Sequence, residues 1–284
     1  MRILVTGATG FIGVALGKRL REEGHDVYAL TRYVASDSRY NFYELDRRII
    51  CDIRSGDRVD HIIGEIKPEV VIHLAAMSAV SYSFLSLETK HEVSEVIYIG
   101  TLNVAEACVR HKVPHLVHAS TSEFYGHQEE FPIKETAVPK PLSPYAVAKL
   151  AAEEYIRYVD RTYGLPFTII RPYNTYNRSQ IGKRHFVVER AITGALLDGH
   201  IHLIDPKPVR DLLDRDSHVD AYIKCLGNEN AIGETINIGL GIGHTIGEMV
   251  DKVTTIVGGI TGQGIEVSWD MPRDRDFDIQ RLIC

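Results

Sequence analysis

The sequence predicts an α/β protein with a doubly wound parallel sheet and a smaller C-terminal lobe. Short, fully apolar runs alternate with longer amphipathic stretches over residues 1–174, and the first run ends in the glycine-rich turn TGATGFIG. Apolar runs of strand length that alternate with helices are typical of a parallel sheet buried on both faces. After residue 174 the rhythm breaks into short, separated strands, which indicates a second packing unit.

Local patterning supports each element of the first 174 residues. The helix predicted over 11–24 ends at a glycine, and the long helix over 143–164 has Pro144 in its first turn. The predicted strands are 2–7, 26–32, 47–53, 69–76, 114–121 and 166–174, and two further helices are predicted at 55–66 and over 88–112.

The C-terminal part carries weaker patterns. Helical periodicity is present in SHVDAYIKCLG and TIGEMVDKVTTIVG, and short strands are predicted at IHLI, ETINIG and IEVSW. We expect residues 1–174 to form the sheet domain and residues 175–284 to form mainly the smaller lobe. A segment at about 209–240 is expected to return to the main sheet.

Composition and charge exclude several classes of protein. A net charge of −6 without a basic run argues against a general nucleic-acid binder. The longest apolar runs are much shorter than a bilayer requires, so no membrane partner is expected. The 4 cysteines and 13 histidines are scattered, which predicts neither a disulfide framework nor a metal site. A reduced, cytoplasmic enzyme is the simplest interpretation.

The glycine-rich turn predicts a site for a dinucleotide. Gly7 permits the tight turn after the first strand, Gly10 lets the backbone approach a pyrophosphate, and Gly13 lets helix and strand pack closely. The next helix offers free N–H groups and the positive end of its dipole to the phosphates. A glycine turn that binds nothing is the alternative interpretation, which the position between strand and helix disfavours.

The end of the second strand favours NADP over NAD. NAD sites usually place an acidic residue there for the ribose hydroxyl, whereas this sequence has Thr31 and Arg32. A solvated surface arginine is the alternative for Arg32. Asp52 and Ile53, at the end of the third strand, are predicted to lie beside the adenine.

A tyrosine and a lysine share one face of the long helix, because Tyr145 and Lys149 are four residues apart. An isolated tyrosine has a pKa of about 10, and a nearby ammonium group favours its phenolate. Tyr145 would then remove a proton from a substrate hydroxyl while hydride leaves for the cofactor. His73, His115 and His118 are interpreted as core or strand-end residues.

Together these motifs resemble those of the extended short-chain dehydrogenases/reductases, the NAD(P)-dependent sugar-nucleotide epimerases and dehydratases. The resemblance rests on TGATGFIG, HLAA, STSEFYG, SPYAVAK, RPYNTY and RDFDIQRLI, and it extends over the whole chain. It implies a Rossmann domain over residues 1–174 and a substrate-binding lobe over residues 175–284. It also implies a nucleotide diphosphate sugar as substrate and a homodimer joined by a four-helix bundle.

The resemblance also assigns expected roles to residues. The expected catalytic residues are Thr121, Glu123, Tyr145 and Lys149. The expected cofactor-binding residues are Gly7, Thr9, Gly10, Phe11, Ile12, Gly13, Arg32, Asp52, Ile53, Leu74, Ala75, Ala76, Tyr145 and Lys149. The expected substrate-binding residues are Ser78, Thr121, Ser122, Asn174, Arg210 and Arg275.

The segment STSEFYG is similar to that of 4,6-dehydratases, most of all the GDP-mannose type. In that interpretation Thr121 binds the sugar 4-hydroxyl, Tyr145 deprotonates it, and Glu123 removes the proton from C5 of the 4-keto sugar before water leaves from C6. A nucleotide-sugar 4-epimerase and a UDP-glucuronate decarboxylase are alternatives on the same scaffold. A catalytically silent NADP-binding sensor or partner subunit is an alternative of a different class.

Overall fold

The computed structural model describes residues 1–33, 47–177, 186–270 and 279–284. Its strands are β1 (Arg2–Thr6), β2 (Asp26–Thr31), β3 (Arg47–Ile50), β4 (Val70–His73), β5 (His115–Ala119), β6 (Phe167–Pro172), β7 (Asn174–Tyr176), β8 (His200–Leu203), β9 (Val209–Asp214), β10 (Thr235–Ile238), β11 (Gly243–Thr245), β12 (Glu266–Trp269) and β13 (Arg281–Leu282). Its helices are α1 (Gly13–Glu22), α2 (Gly56–Ile66), α3 (Leu87–Ser94), α4 (Gly100–Arg110), α5 (Pro144–Tyr163), α6 (Val187–Thr193), α7 (Arg215–Cys225) and α8 (Ile246–Thr261).

A seven-stranded parallel sheet forms the centre of the molecule. Its strand order is β10-β6-β5-β4-β1-β2-β3, so the order reverses beside β1. Helices α2, α4 and α5 bury apolar side chains against one face of the sheet, and α1 and α7 cover the other. The predicted doubly wound α/β fold is therefore confirmed. At such a reversal, loops at the carboxyl ends of the strands open a crevice where ligands bind.

Helices α3 and α4 form one continuous rod. The π-helical turn Glu95–Ile99 joins them without a break. No helix in the described part of the chain is long and apolar enough to cross a membrane.

The smaller C-terminal elements pair with one another. Strands β7, β9, β11 and β13 make a four-stranded sheet, and β8 pairs with β12 in a separate two-stranded sheet. Strands β8 and β12 were predicted at IHLI and IEVSW, whereas β7, β9, β11 and β13 were not. Segments of two or three residues are too short to show a period of two, and the six residues of β9, VRDLLD, do not alternate between apolar and polar side chains. Of the segment expected to return to the main sheet, α7 and β10 do so, whereas β9 lies in the smaller sheet. The division into a cofactor domain and a substrate lobe stays a prediction.

A buried carboxylate holds the four-stranded sheet together. Asp211 in β9 is fully buried, and its oxygens accept hydrogen bonds from the backbone N–H groups of Leu240, Gly241 and Cys284 at 2.9, 2.8 and 3.3 Å. One side chain thus links β9 to the loop after β10 and to the residues after β13.

We expect Asp211→Ala to lower the free energy of unfolding by about 3 kcal/mol, because three backbone donors lose an ionised acceptor. Asp211→Asn is the matched control. It retains one acceptor oxygen and should lose about half as much. Urea unfolding of the three proteins measures the difference. An alanine variant as stable as the wild type would show that these hydrogen bonds are replaced by water.

Candidate active site

The turn after β1 requires its glycines. Gly7 has a φ of +69°, and a Cβ atom there would lie 2.8 Å from the backbone of Ala75. A Cβ atom at Gly13 would lie 2.4 Å from the carbonyl oxygen of Gly7, and one at Gly10 would lie 3.1 Å from the same oxygen. Thr6 fixes the neighbouring strand end, because its hydroxyl accepts a hydrogen bond from the Ala75 N–H. These three positions carry no side chain, so a phosphate could approach the backbone of the turn closely.

Helix α1 leaves its N-terminus open to a ligand. Its N-cap, Ile12, makes no side-chain capping hydrogen bond, whereas the Ser143 hydroxyl caps α5. The first N–H groups of α1 lack a capping side chain among the described residues, so they can serve an anion. Beside the turn, the Thr9 and Thr31 hydroxyls lie 2.7 Å apart, and the Phe11 ring contacts Phe186. These residues fit the pyrophosphate of a dinucleotide.

Arg32 lies where the sequence places it, but it already has an anionic partner. Its guanidinium is 3.3 Å from the carboxylate of Glu92 on α3, which also accepts a hydrogen bond from the Tyr82 hydroxyl at 2.7 Å. Those two hydrogen bonds, with the Tyr82 bond contributing most, lower the pKa of Glu92. A cofactor 2′-phosphate would have to share Arg32 with this carboxylate.

The expected adenine neighbours also have structural partners. Asp52 pairs with Arg54 through both carboxylate oxygens. Ile53 is buried, and its side chain would clash with a Cβ atom at Gly100. At the end of β4, Leu74, Ala75 and Ala76 are half-buried and Ser78 is exposed.

The structure brings the four expected catalytic residues together. Tyr145 and Lys149 are both buried on the face of α5 that meets β5, and Lys149 Nζ donates a hydrogen bond of 2.5 Å to the carbonyl of Ala119 at the end of that strand. Thr121 makes a side-chain hydrogen bond with Tyr145, and the charge of Glu123 acts on the same phenol. The loop after β5 therefore faces the first turn of α5. The catalytic roles of these residues stay predictions.

Burial dominates the protonation of this pair. Desolvation raises the pKa of Tyr145 to about 12, although the Thr121 hydrogen bond lowers it, and Glu123 raises it further. Desolvation lowers the pKa of Lys149 to about 8 against the opposing effect of Glu153. In the protein by itself Tyr145 is therefore a phenol at neutral pH. Its phenolate requires further positive charge, which an oxidised nicotinamide ring carries.

A buried ion pair behind this loop was not found by sequence reasoning. The guanidinium of Arg171 in β6 pairs with Glu153 of α5 at 3.0 and 2.7 Å and donates to the Tyr125 hydroxyl at 2.6 Å. It also stacks over the Phe124 ring at 4.7 Å. One arginine thus joins α5 to the segment that carries Thr121 and Glu123. In the sequence, the sign of such a pair is an arginine and a glutamate that each interrupt an apolar run.

The strand histidines are core residues, with one difference from the prediction. His73 contacts the Thr6 and Thr101 hydroxyls, and burial lowers its pKa to about 3. His115 bonds to Thr168 at 2.9 Å. His118 is also buried, but neither ring nitrogen has a hydrogen-bond partner within the described ranges. Burial, more than the nearby Lys149 charge, holds its pKa well below the ordinary value.

The other expected substrate contacts that the structure describes follow β5, begin β7 or lie in β9. Ser122 is buried at the end of β5, and Asn174 begins β7 with its side-chain oxygen unpaired among described groups. Arg210 is half-buried in β9, where its Nη1 donates to the carbonyl of Val209. Arg275 lies outside the described residues. These four assignments stay predictions.

A family model confirms the class of protein that this fold and site define. The model of the NAD dependent epimerase/dehydratase family matches residues 3–239. The chain belongs to this family and is an enzyme of that kind, as the sequence predicts.

The similar proteins include both epimerases and dehydratases. The chain is 32% identical to a UDP-glucose 4-epimerase of Mycolicibacterium smegmatis, over 99% of this chain and 90% of the relative. It is also 32% identical to a dTDP-glucose 4,6-dehydratase of Neisseria meningitidis, over 90% of this chain and 74% of the relative. Among solved structures, a Thermus thermophilus UDP-glucose 4-epimerase in complex with NAD superposes with a TM-score of 0.86 at 31% identity, covering 100% of this chain and 90% of the other.

The buried ammonium of Lys149 gives a prediction about stability. Its pKa is about 8 in the folded protein against 10.5 for a free side chain, so burying the charge costs about 3 kcal/mol at pH 7. We expect Lys149→Met to raise the free energy of unfolding at pH 7 by about 2 kcal/mol, after the hydrogen bond to Ala119 is lost.

The pH dependence distinguishes this effect from improved packing. Between pH 8 and 10.5 the unfolded wild type binds more protons than the folded one, so wild-type stability rises with pH in that window. The advantage of Lys149→Met should therefore shrink between pH 7 and pH 10. Urea unfolding at both pH values measures it, and a constant advantage would contradict the buried-charge explanation.

Proposed function

We propose that this enzyme oxidises C4 of a nucleotide diphosphate sugar and then removes water across C5 and C6. The observation that carries the proposal is the hydrogen bond between the buried Thr121 and Tyr145, with the half-buried Glu123 close enough for its charge to act on the phenol. The bound nicotinamide dinucleotide supplies the hydride acceptor and donor. Tyr145 takes the proton of the sugar 4-hydroxyl, and Thr121 holds that hydroxyl in line with it.

Glu123 supports the elimination half of the reaction. A ketone at C4 makes the neighbouring C5–H acidic enough for a carboxylate to remove, and Glu123 lies near enough to Tyr145 to raise the pKa of its phenol. The proton on Glu123 is then available to the C6 hydroxyl as it leaves as water. Hydride returned to C6 from the reduced dinucleotide, together with a proton added at C5, would complete the 6-deoxy-4-keto sugar.

A 4-epimerase is the second candidate, because the relatives named above include UDP-glucose 4-epimerases. An epimerase requires the oxidation by Tyr145 and a rotation of the 4-keto sugar, but no acid at position 123. A UDP-glucuronate decarboxylase would use the same oxidation on a sugar with a C6 carboxylate. The three reactions therefore share the first hydride transfer and diverge at the next chemical step.

The substrates of those relatives also indicate which nucleotide the sugar of this enzyme carries. By their names they act on UDP-glucose or dTDP-glucose, and the predicted GDP-mannose is not among their substrates. We therefore favour a pyrimidine nucleotide. The lobe over residues 175–284 would hold this nucleotide diphosphate, with Asn174 and Arg210 as its described contacts and Arg275 as a further one.

The cofactor proposal changes from NADP to NAD. The family is NAD dependent, and the solved structure of the Thermus thermophilus relative contains NAD. The prediction of NADP rested on Arg32, which pairs with Glu92. The Glu92 carboxylate would repel a 2′-phosphate and accept a hydrogen bond from a ribose hydroxyl.

A dimer and a cytoplasmic location belong to the same proposal. Leu87 of α3 and Ile99 of the π-helical turn are exposed, as are Val147, Tyr158 and Tyr163 of α5. Two copies could cover these faces in the four-helix bundle that the family resemblance implies. All 4 cysteines are free thiols, as expected in a reducing compartment.

The replacement Glu123→Gln tests the dehydratase proposal. The protein is incubated with UDP-glucose, dTDP-glucose, GDP-mannose and UDP-glucuronate, and products are identified by mass and, because epimers have equal masses, by NMR spectroscopy. We expect the wild type to form a 6-deoxy-4-keto sugar from one of the first three. Glu123→Gln should accumulate reduced dinucleotide and an uneliminated 4-keto sugar, with product formation slowed on the order of 10²–10⁴-fold.

Tyr145→Phe is the matched control, because it should block the first hydride transfer and leave the dinucleotide oxidised. Interconversion of UDP-glucose and UDP-galactose at a rate unchanged in Glu123→Gln would overturn the dehydratase proposal and establish the epimerase. Release of carbon dioxide from UDP-glucuronate alone would establish the decarboxylase.

The cofactor proposal is tested by titrating NAD and NADP into the protein freed of dinucleotide. We expect NAD to bind more tightly to the wild type. Glu92→Gln should shift the preference towards NADP by about threefold to tenfold, because it releases the Arg32 charge. The double replacement Arg32→Ala with Glu92→Gln is the control and should lose that gain. Tighter NADP binding by the wild type would favour NADP as the cofactor.

A further inference from the structure

Two histidines of the smaller lobe point at a single atom outside the candidate active site. His200 and His202 alternate along β8 with Ile201 and Leu203, which are buried in the core of this lobe. Both imidazoles therefore lie on the opposite face of the strand. There, His200 Nε2 and His202 Nδ1 lie 2.7 and 2.8 Å from the same hydroxyl oxygen, that of Ser268 on β12.

Hydrogen bonds assign the proton positions of this cluster when His202 is neutral. His202 Nε2 lies 3.0 Å from a carboxylate oxygen of Asp270, and with this carboxylate as the acceptor, Nε2 carries the single proton of the neutral ring and Nδ1 is an acceptor. Ser268 donates its single proton to that Nδ1. The hydroxyl must then accept from His200, whose Nε2 carries a proton. The chain of donors therefore runs from His200 through Ser268 and His202 to Asp270.

We propose that His200 and His202 form a binding site for one divalent transition-metal cation, with the Ser268 hydroxyl as a further ligand and Asp270 behind His202. Imidazole nitrogen suits zinc, copper and nickel. The usual zinc–nitrogen distance is about 2.1 Å, so the two rings would have to turn away from the Ser268 oxygen, which now lies 2.7 and 2.8 Å from them, to admit a cation. The proton on His200 Nε2 would have to leave that nitrogen when the cation binds. Half of the His202 side chain is exposed to solvent, so its ring has room for this shift.

The Asp270 contact has the arrangement found behind metal-bound histidines. A ligating imidazole usually donates its second N–H to a carboxylate, which fixes the tautomer and raises the basicity of the ligand. Here Asp270 holds His202 with Nδ1 bare and directed at Ser268. The described part of the chain contains no group of three or more His, Cys, Asp or Glu side chains that could hold a metal. Ser268 and water must therefore complete the coordination.

The same residue types occur in hydrolytic triads, but the hydrogen bonds disfavour that function. A nucleophilic serine needs a lone pair open to its substrate. The Ser268 hydroxyl donates to one ring and accepts from the other, so His200 takes one of its two lone pairs and makes the oxygen a poorer nucleophile. A cation could instead bind to the nitrogens of both rings at once. It would also tie β8 to β12, a two-stranded pair that is marginally stable without support.

The test is a zinc titration of the full chain by calorimetry, after dialysis against a chelator, with thermal unfolding as a second readout. We expect one equivalent of Zn²⁺ to bind and raise the unfolding temperature. His200→Ala and His202→Ala should each weaken binding at least tenfold, and Asp270→Ala about tenfold. Mg²⁺, which prefers oxygen ligands, should not compete.

His244→Ala is the matched control, since His244 is another partly exposed histidine of this lobe beside a carboxylate, that of Glu248. It should bind Zn²⁺ as the wild type does. Absence of binding to the wild type at millimolar Zn²⁺ would overturn the proposal. Equal affinity in wild type and in the His200→Ala and His202→Ala variants would also overturn it.

Discussion

The buried ion pair between Arg171 and Glu153 is the interaction on which the candidate active site depends. Glu153 lies one helical turn after Lys149 in α5, and Arg171 lies in β6 beside β5, the strand that leads into the loop of Thr121 and Glu123. Both charges are nearly inaccessible to solvent, yet the guanidinium meets two carboxylate oxygens, a phenol and a backbone carbonyl. Removal of one partner from such a pair typically costs about 3–5 kcal/mol.

That network holds the loop after β5 in a defined position relative to α5. Arg171 stacks on Phe124, and the Tyr125 hydroxyl donates a hydrogen bond of 2.8 Å to Asn237 of β10. The turn after Thr121 is therefore attached to both β6 and β10. Lys149 fixes α5 to the same strand end through the Ala119 carbonyl. The helix that carries Tyr145 and the segment that carries Glu123 are therefore held by one buried arginine.

Burial gives the site its chemistry as well as its geometry. Desolvation raises the pKa of the Tyr145 phenol to about 12 and lowers that of the Lys149 ammonium to about 8, so in the protein alone the phenol is neutral at pH 7 while the ammonium keeps its charge. Positive charge brought by the oxidised cofactor would favour the phenolate, so the base would be generated only when the dinucleotide is in place. The same desolvation makes Lys149 a destabilising residue, which is a common cost of functional sites.

The sequence by itself determined the fold class, the glycine turn and the pairing of Tyr145 with Lys149. These are local properties: a buried strand is continuously apolar, a turn that approaches a phosphate needs glycine, and residues four apart share a helix face. Only the tertiary structure decided that Arg32 pairs with Glu92, that Arg171 meets Glu153, and that His200 and His202 converge on Ser268. Such contacts join residues from 18 to 68 positions apart in the chain, and no local period encodes them. Electrostatic partners depend on which side chains folding brings within a few ångströms.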